Sequence, residues 1–190
     1  TSSQTSGLAS SDAAVKYTAA DLSSFTINGG TNNDTYDVTS TPAGVANAIN
    51  ASAGNTSFNI TGSGLGTGST NAFSTLAPGF DDTFNVDGPL NAPASIFAGS
   101  QTAGDVLNYD AGGQDVTLSA NSITAGVGQT LVFTGIEQVN VTNVGGVTVL
   151  GDGSANTLTL TRTGATTDAY QLDRAAPVSL DGATSFRFFG

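Results

Sequence analysis

Ser24-Phe25-Thr26-Ile27-Asn28 runs into Gly29-Gly30-Thr31-Asn32-Asn33-Asp34 and then into Thr35-Tyr36-Asp37-Val38-Thr39. On both sides of the glycines, apolar and polar residues alternate with a period of two, the pattern of a half-buried strand. The residues between are those that make tight turns: Gly takes positive φ without strain, and Asn and Asp bond their own backbone. A short strand, a turn and another short strand form the unit whose recurrence sets the fold class.

The unit recurs along the chain. Further alternating segments are Ser57-Phe58-Asn59-Ile60-Thr61, Thr83-Phe84-Asn85-Val86, Asp105-Val106-Leu107-Asn108-Tyr109 and Val116-Thr117-Leu118. Leu131-Val132-Phe133-Thr134, Val139-Asn140-Val141-Thr142, Val147-Thr148-Val149-Leu150 and Thr157-Leu158-Thr159-Leu160-Thr161 follow. Only residues 42–50 read differently. Pro42 near a first helical position predicts a short helix there, weakened by Gly44, Asn47 and Asn50. Three windows superimpose without gaps: residues 29–37, 66–74 and 151–159, each with Gly first, Asp or Asn sixth and an apolar residue eighth. Looser copies are Gly79-Phe80-Asp81-Asp82-Thr83-Phe84 and Ala103-Gly104-Asp105-Val106-Leu107. A recurring turn-then-strand unit is the sign of stacking. The expected fold is all-β, a parallel β-solenoid of the β-helix or β-roll kind, with an antiparallel β-sandwich as the alternative. No charge run or linker divides the chain, so residues 1–190 read as one domain, with residues 1–23 as an inter-subunit segment.

Composition narrows function. The chain has 190 residues, a net charge of -11, and no His, Cys, Met or Trp. A nucleophile activated by His, or a Cys/His zinc site, cannot be built from it. Four cations at a pI near 4.1 make nucleic acid a poor partner. No apolar run approaches the ~18 residues of a membrane span, so membrane insertion is not expected. Fourteen of the 15 acids are Asp, and Glu137 is the exception. This lysine-poor, Thr/Asn/Gly-rich composition reads as secreted and extracellular, at a cell surface. Without a signal peptide at Thr1 the chain reads as a mature product or a fragment.

The glycine-rich windows resemble degenerate copies of the hemolysin-type (RTX-like) nonapeptide, a calcium-binding repeat, and the stretch from Gly151 onward resembles repeat units of large bacterial surface proteins. The resemblance implies calcium between stacked turns, held by the sixth-position Asp and by turn carbonyls. Carried over residue by residue, the candidate ligands are Asp34 with Asn32, Asp81 and Asp82, Asp105, and Asp152 with Asn156. Asn71 and Asn156 stand where Asp is expected and bring a neutral oxygen.

The function these features suggest is a non-catalytic, extracellular structural protein: a subunit of a surface layer, fibre or matrix that assembles head to tail with itself. The alternatives are a calcium-dependent adhesin module binding surface glycans, and a β-helix enzyme acting on polysaccharide through Asp81 and Asp82. Adjacent strand residues point to opposite faces, which counts against that pair. Residues 12–29 align without gaps on residues 173–190, placing Phe25 on Phe186. Phe25 and Ile27 at one end, and Phe186, Phe188 and Phe189 at the other, are therefore the expected assembly residues.

Overall fold

The structure, a computed structural model, describes residues 2–5, 18–75, 77–100 and 104–190. From β1 (Ser2–Thr5) and β2 (Ser24–Asn28) the chain crosses to β3 (Thr35–Val38) and returns to β4 (Ala46–Ala51). It continues through β5 (Ser57–Thr61), β6 (Thr70–Thr75), β7 (Thr83–Asp87), β8 (Ala94–Phe97) and β9 (Val106–Asp110) in the same way. Over this stretch β1 and the even-numbered strands form one sheet, the odd-numbered strands from β3 a second, and neighbours within each are parallel. Register repeats once per circuit: Ser24 lies beside Ala46 and Asn47 beside Asn71, while Thr35 lies beside Ser57 and Ser57 beside Thr83.

After β9 this order is interrupted twice. The chain runs out to β10 (Val116–Ser119), folds back through β11 (Ser122–Ala125), and only then fills the place beside β8 with β12 (Leu131–Thr134). β13 (Gln138–Thr142) pairs with β9, and β14 (Gly146–Leu150) with β10. The second sheet repeats the manoeuvre. β15 (Leu158–Arg162) lies outermost, β16 (Thr167–Leu172) returns, and β17 (Val178–Asp181) pairs with β13 before β18 (Ser185–Phe189) pairs with β14. The sheets have ten and eight strands, in the orders β1-β2-β4-β6-β8-β12-β11-β10-β14-β18 and β15-β16-β17-β13-β9-β7-β5-β3. Each excursion reverses direction twice, so β18 runs the same way as β2, and β15 the same way as β3. The fold is all-β, with two mixed, largely parallel sheets. Among the described residues, antiparallel pairing between strands occurs only in these two excursions, with one isolated antiparallel bridge between Leu90 and Gln129.

The core lies between the sheets, where alternate residues of the strands point inward. Tyr36, Phe58 and Phe84 occupy one register column and stack at ring-centroid separations of 4.9 and 5.1 Å. Ile27, Ile49, Phe73, Ile96 and Phe133 form a column in the first sheet, and Phe73 reaches Phe58 at 5.8 Å. The helix expected over residues 42–50 is absent: its second half is β4. Asn47, Ile49 and Ala51 alternate inward in register with Asn71, Phe73 and Thr75, and Gly44 turns the chain at a φ of 69°. A weak helix former loses to a strand that buries every second side chain. Among the described residues the only helical pieces are the 3₁₀ turns Ala19–Asp21 and Gly62–Gly64, and no helix is long and apolar enough to cross a membrane.

Close stacking leaves no room at some corners. Gly135 has a φ of 76°, and a Cβ there would run into the carbonyl oxygen of Ala98 in the preceding circuit. Gly135→Ala combines backbone strain with a backbone clash, and is expected to cost at least about 2 kcal/mol. Denaturant unfolding measures it, with Gly153→Ala as the comparison: also at positive φ, but opening onto free space.

Candidate functional site: a buried acidic column

The residues immediately before the strands of the second sheet share a corner. In register order they are Asp34, Thr56, Asp82, Asp105 and Glu137. Each acid from Asp82 onward reaches back to the preceding circuit and accepts a backbone N–H. Thr56 N donates to Asp82 Oδ1 at 2.7 Å, Asp82 N to Asp105 Oδ1 at 2.8 Å, and Asp105 N to Glu137 Oε2 at 3.0 Å. Beside it runs a second column, in which Asn55 N donates to Asn33 Oδ1 and Asp81 N to Asn55 Oδ1. The two looser sequence copies, with Asp82 and Asp105, thus stack with the first window and its Asp34. The two better-matching windows do not. Residues 66–74 lead into β6 of the other sheet, and residues 151–159 into the outlying strand β15.

Asp82 and Asp105 are each 1% exposed. Burial pushes both carboxyls upward in pKa, Asp105 to about 6, and the charges of Asp82, Glu137 and Asp81 add to the rise at Asp105. The hydrogen bond from the Asp82 N–H opposes it. Asp105 Oδ2 is buried with no hydrogen-bond partner. A carboxylate so placed lacks one of its bonding partners, whereas a protonated carboxyl carries a donor that its neighbours can accept.

The other candidate ligands are dispersed. Asn32 is exposed, and Tyr36 Oη donates to Asp34 Oδ2 at 3.3 Å. Burial first, then the Asp34 charge and this bond, push the Tyr36 phenol up to about 12. Asp81 is exposed where its neighbour Asp82 is buried, so the two carboxylates do not converge as a catalytic pair would. Asp152 accepts bonds from Ser154 and Asn156, which hold its pKa down at about 2. Asn156 also donates to Asp173. Calcium needs six to eight oxygens around one point. Among the described residues no group of three or more acidic side chains is placed to hold a metal ion, and the buried acids spend one oxygen each on backbone N–H groups. The candidate ligands thus lie in separate places, Asp34, Asp82 and Asp105 along one corner and Asp152 with Asn156 ahead of β15.

No family model, curated protein or solved structure matches the chain.

One column has no counterpart among the sequence candidates. On the outer face of the second sheet, Asp37, Asn59, Asn85, Asn108 and Asn140 lie in register. Each amide nitrogen donates to the oxygen before it: Asn59 to Asp37 at 2.7 Å, Asn85 to Asn59 at 2.9 Å, Asn108 to Asn85 at 2.8 Å and Asn140 to Asn108 at 2.8 Å. Gln138 donates to Asn140 in turn. The signal is present in the sequence as a polar residue between two apolar ones in five strands: Tyr36-Asp37-Val38, Phe58-Asn59-Ile60, Phe84-Asn85-Val86, Leu107-Asn108-Tyr109 and Val139-Asn140-Val141.

The expected assembly residues lie toward the ends of the strand order. Phe25 and Ile27, with Val38, Pro42, Ile49 and Phe73, line a cavity of about 120 Å³. At the far end Phe186 packs edge-on against Tyr170 at 6.0 Å, while Phe188 and Phe189 are 37% and 60% exposed. Ser2–Thr5, within the segment read as inter-subunit, pair with β2 of the same chain. Residues 1 and 6–17 of that segment lie outside the described residues.

Proposed function

We propose that the chain is a non-catalytic structural protein of the bacterial cell exterior, a two-sheeted β-solenoid whose copies associate end to end into a surface layer, fibre or matrix. The observation that carries this reading is that each sheet finishes in an outermost strand at both ends, β1 and β18 in one and β3 and β15 in the other, and that within each sheet the two run in the same direction. Among the described residues these outermost strands have no strand on their outer sides, and such a parallel edge is a template for another strand. Outer-face amides bonded to one another along the stack suit a stiff unit more than a ligand-gripping surface. With -11 charges per copy, close contact requires screening by salt or by divalent cations such as calcium between copies.

Concentration-dependent light scattering and electron microscopy of the 190-residue chain test this. Filaments or sheets are expected at physiological salt with calcium, loosening in low salt with chelator. A chain that remains monomeric at high concentration in both conditions would refute the reading. An assembly indifferent to chelator in low-salt buffer removes the part played by divalent cations.

A second reading, a glycan-binding adhesin module, draws on a shallow cleft of about 220 Å³ where Asn85, Asp87, Asn108, Asp110 and Thr142 meet on the second sheet. Carboxylates and amides side by side are groups that bind sugar hydroxyls. Binding to purified surface polysaccharide that is lost in Asn108→Ala would favour it over the structural reading.

A further inference from the structure

Resting on the reading of the chain as a self-associating unit, we infer that copies join by strand replacement, with β18 of one copy taking the place of β1 on β2 of the next. The partner is a second copy of this chain.

Among the described residues, β1 alone lies beyond β2 at this edge of the first sheet. β1 pairs with β2 one circuit back, with Ser2 beside Ser24, Ser3 beside Phe25 and Thr5 beside Ile27. Phe25 and Ile27 head the two columns that face the core. In the Ile27 column every later strand through β12 supplies a large apolar residue: Ile49, Phe73, Ile96 and Phe133. β1 brings Thr5 to that position. The cavity lined by Phe25, Ile27 and Val38 lies at this end.

β18 carries what β1 lacks. Phe186 and Phe188 lie in register with the inward-facing Val147 and Val149 of β14, and among the described residues no strand lies on the other side of β18. With Ser185 in the position of Ser2, Phe186 comes to stand beside Phe25 and Phe188 beside Ile27. Both strands are parallel to β2, so replacement keeps the direction of the first sheet. β15 runs in the direction of β3, so the second sheet is not reversed either. This is strand addition at a sheet edge, with main-chain bonds for affinity and alternate side chains for fit.

Charge sets the polarity of the join. Residues 1–50, which include the receiving edge, hold four acids and one lysine, a net of -3, whereas residues 151–190 hold four acids and three arginines, a net of -1. Arg187 lies on β18 itself, and Asp21, Asp34 and Asp37 lie near the receiving edge. A head-to-head contact would oppose two acidic ends. Head-to-tail contact puts the arginine-bearing end on the acidic one, and because the contact is heterologous and does not close, it propagates. β1, tethered to its own edge, competes with every incoming β18 and so restrains assembly.

The chain has no cysteine, which makes cross-linking clean. Replacement places Ser185 of one copy beside Ser24 of the next, at the ~5 Å spacing of paired strands, within disulfide reach. Ser24→Cys and Ser185→Cys proteins are mixed under mild oxidation and followed by light scattering and non-reducing gel. A cross-linked dimer is expected from the mixture and from neither variant alone, and removal of residues 1–5 should speed its formation about tenfold. Association by light scattering without the mixed cross-link would overturn strand replacement and leave the structural reading standing. So would slower assembly on removal of residues 1–5. Absence of association in every sample would overturn both.

Discussion

Replacing Phe58 with alanine is expected to cost about 4–5 kcal/mol. The side chain is 0% exposed and touches three rings: Tyr36 and Phe84 stacked on either side in its own sheet, and Phe73 across the core. Truncation removes the burial of a large ring, opens a cavity between circuits that cannot collapse because backbone spacing is fixed by hydrogen bonds, and deletes the stacking contacts. For a chain of this size the melting temperature should fall by roughly 10–15 °C. Phe97, on the outer face and 52% exposed, is the control, and its alanine variant should move the melting temperature by no more than about 2 °C. Equal losses at the two positions would mean that the core does not lie between the sheets as described.

Asp105→Asn is expected to raise stability at pH 8 and to leave it nearly unchanged at pH 4. In the folded chain burial lifts the Asp105 carboxyl to about 6, against about 3.9 for an unperturbed aspartate. Between these values the folded state holds a proton that the unfolded state has released, so stability falls as pH rises through this window. The loss from this group is complete above about pH 6 and amounts to about 3 kcal/mol. Asp82, also raised, acts in the same direction. Asparagine keeps the oxygen that accepts the Asp82 N–H and replaces the unpartnered Oδ2 with a donor facing acidic neighbours. Melting curves of both proteins from pH 4 to pH 8 should diverge by roughly 5–10 °C at the upper end. A lower melting temperature for the asparagine variant at pH 8 would show that the site needs its charge, and if the difference grows with added calcium the turn acids are ligands after all.

Strand positions were largely legible because alternation is a local property. Ser24–Asn28, Ser57–Thr61 and Leu131–Thr134 are strands with the bounds their patterns suggest. β4 was hidden because its inward residues include Asn47, whose amide is buried against Asn71, and because Ala and Asn carry little alternation signal. The pairing of strands was less visible. Local similarity points to residues 66–74 and 151–159 as partners of residues 29–37, yet the true neighbours are set by core columns that recur once per circuit. Of the acids, Asp34, Asp82 and Asp105 stand out as a set, and they do share one corner. Their surroundings were not legible, since these depend on Thr75 and Glu137 arriving from elsewhere in the chain. Glu137 escapes notice as a site residue because it follows Gly135-Ile136 rather than a glycine-rich turn.

The two excursions fix the order in which the molecule can come together. From β4 to β9 each strand docks on one already made, so these pairs can zip up while later residues are still unfolded. Beyond β9 that stops: β12 is the neighbour of β8, yet β10 and β11 precede it in the chain, and β17 is likewise preceded by β15 and β16. The steps from Ala94 to Leu131, from Val106 to Gln138 and from Val139 to Val178 are longer than any circuit up to β9, and each closes a larger loop before its contacts are gained. Folding should therefore have a fast amino-terminal phase and a slower carboxy-terminal one. The same detours act as a ratchet, because a sheet whose circuit lengthens abruptly between the β7–β9 and β9–β13 pairings cannot slide by a whole circuit and still match its apolar columns.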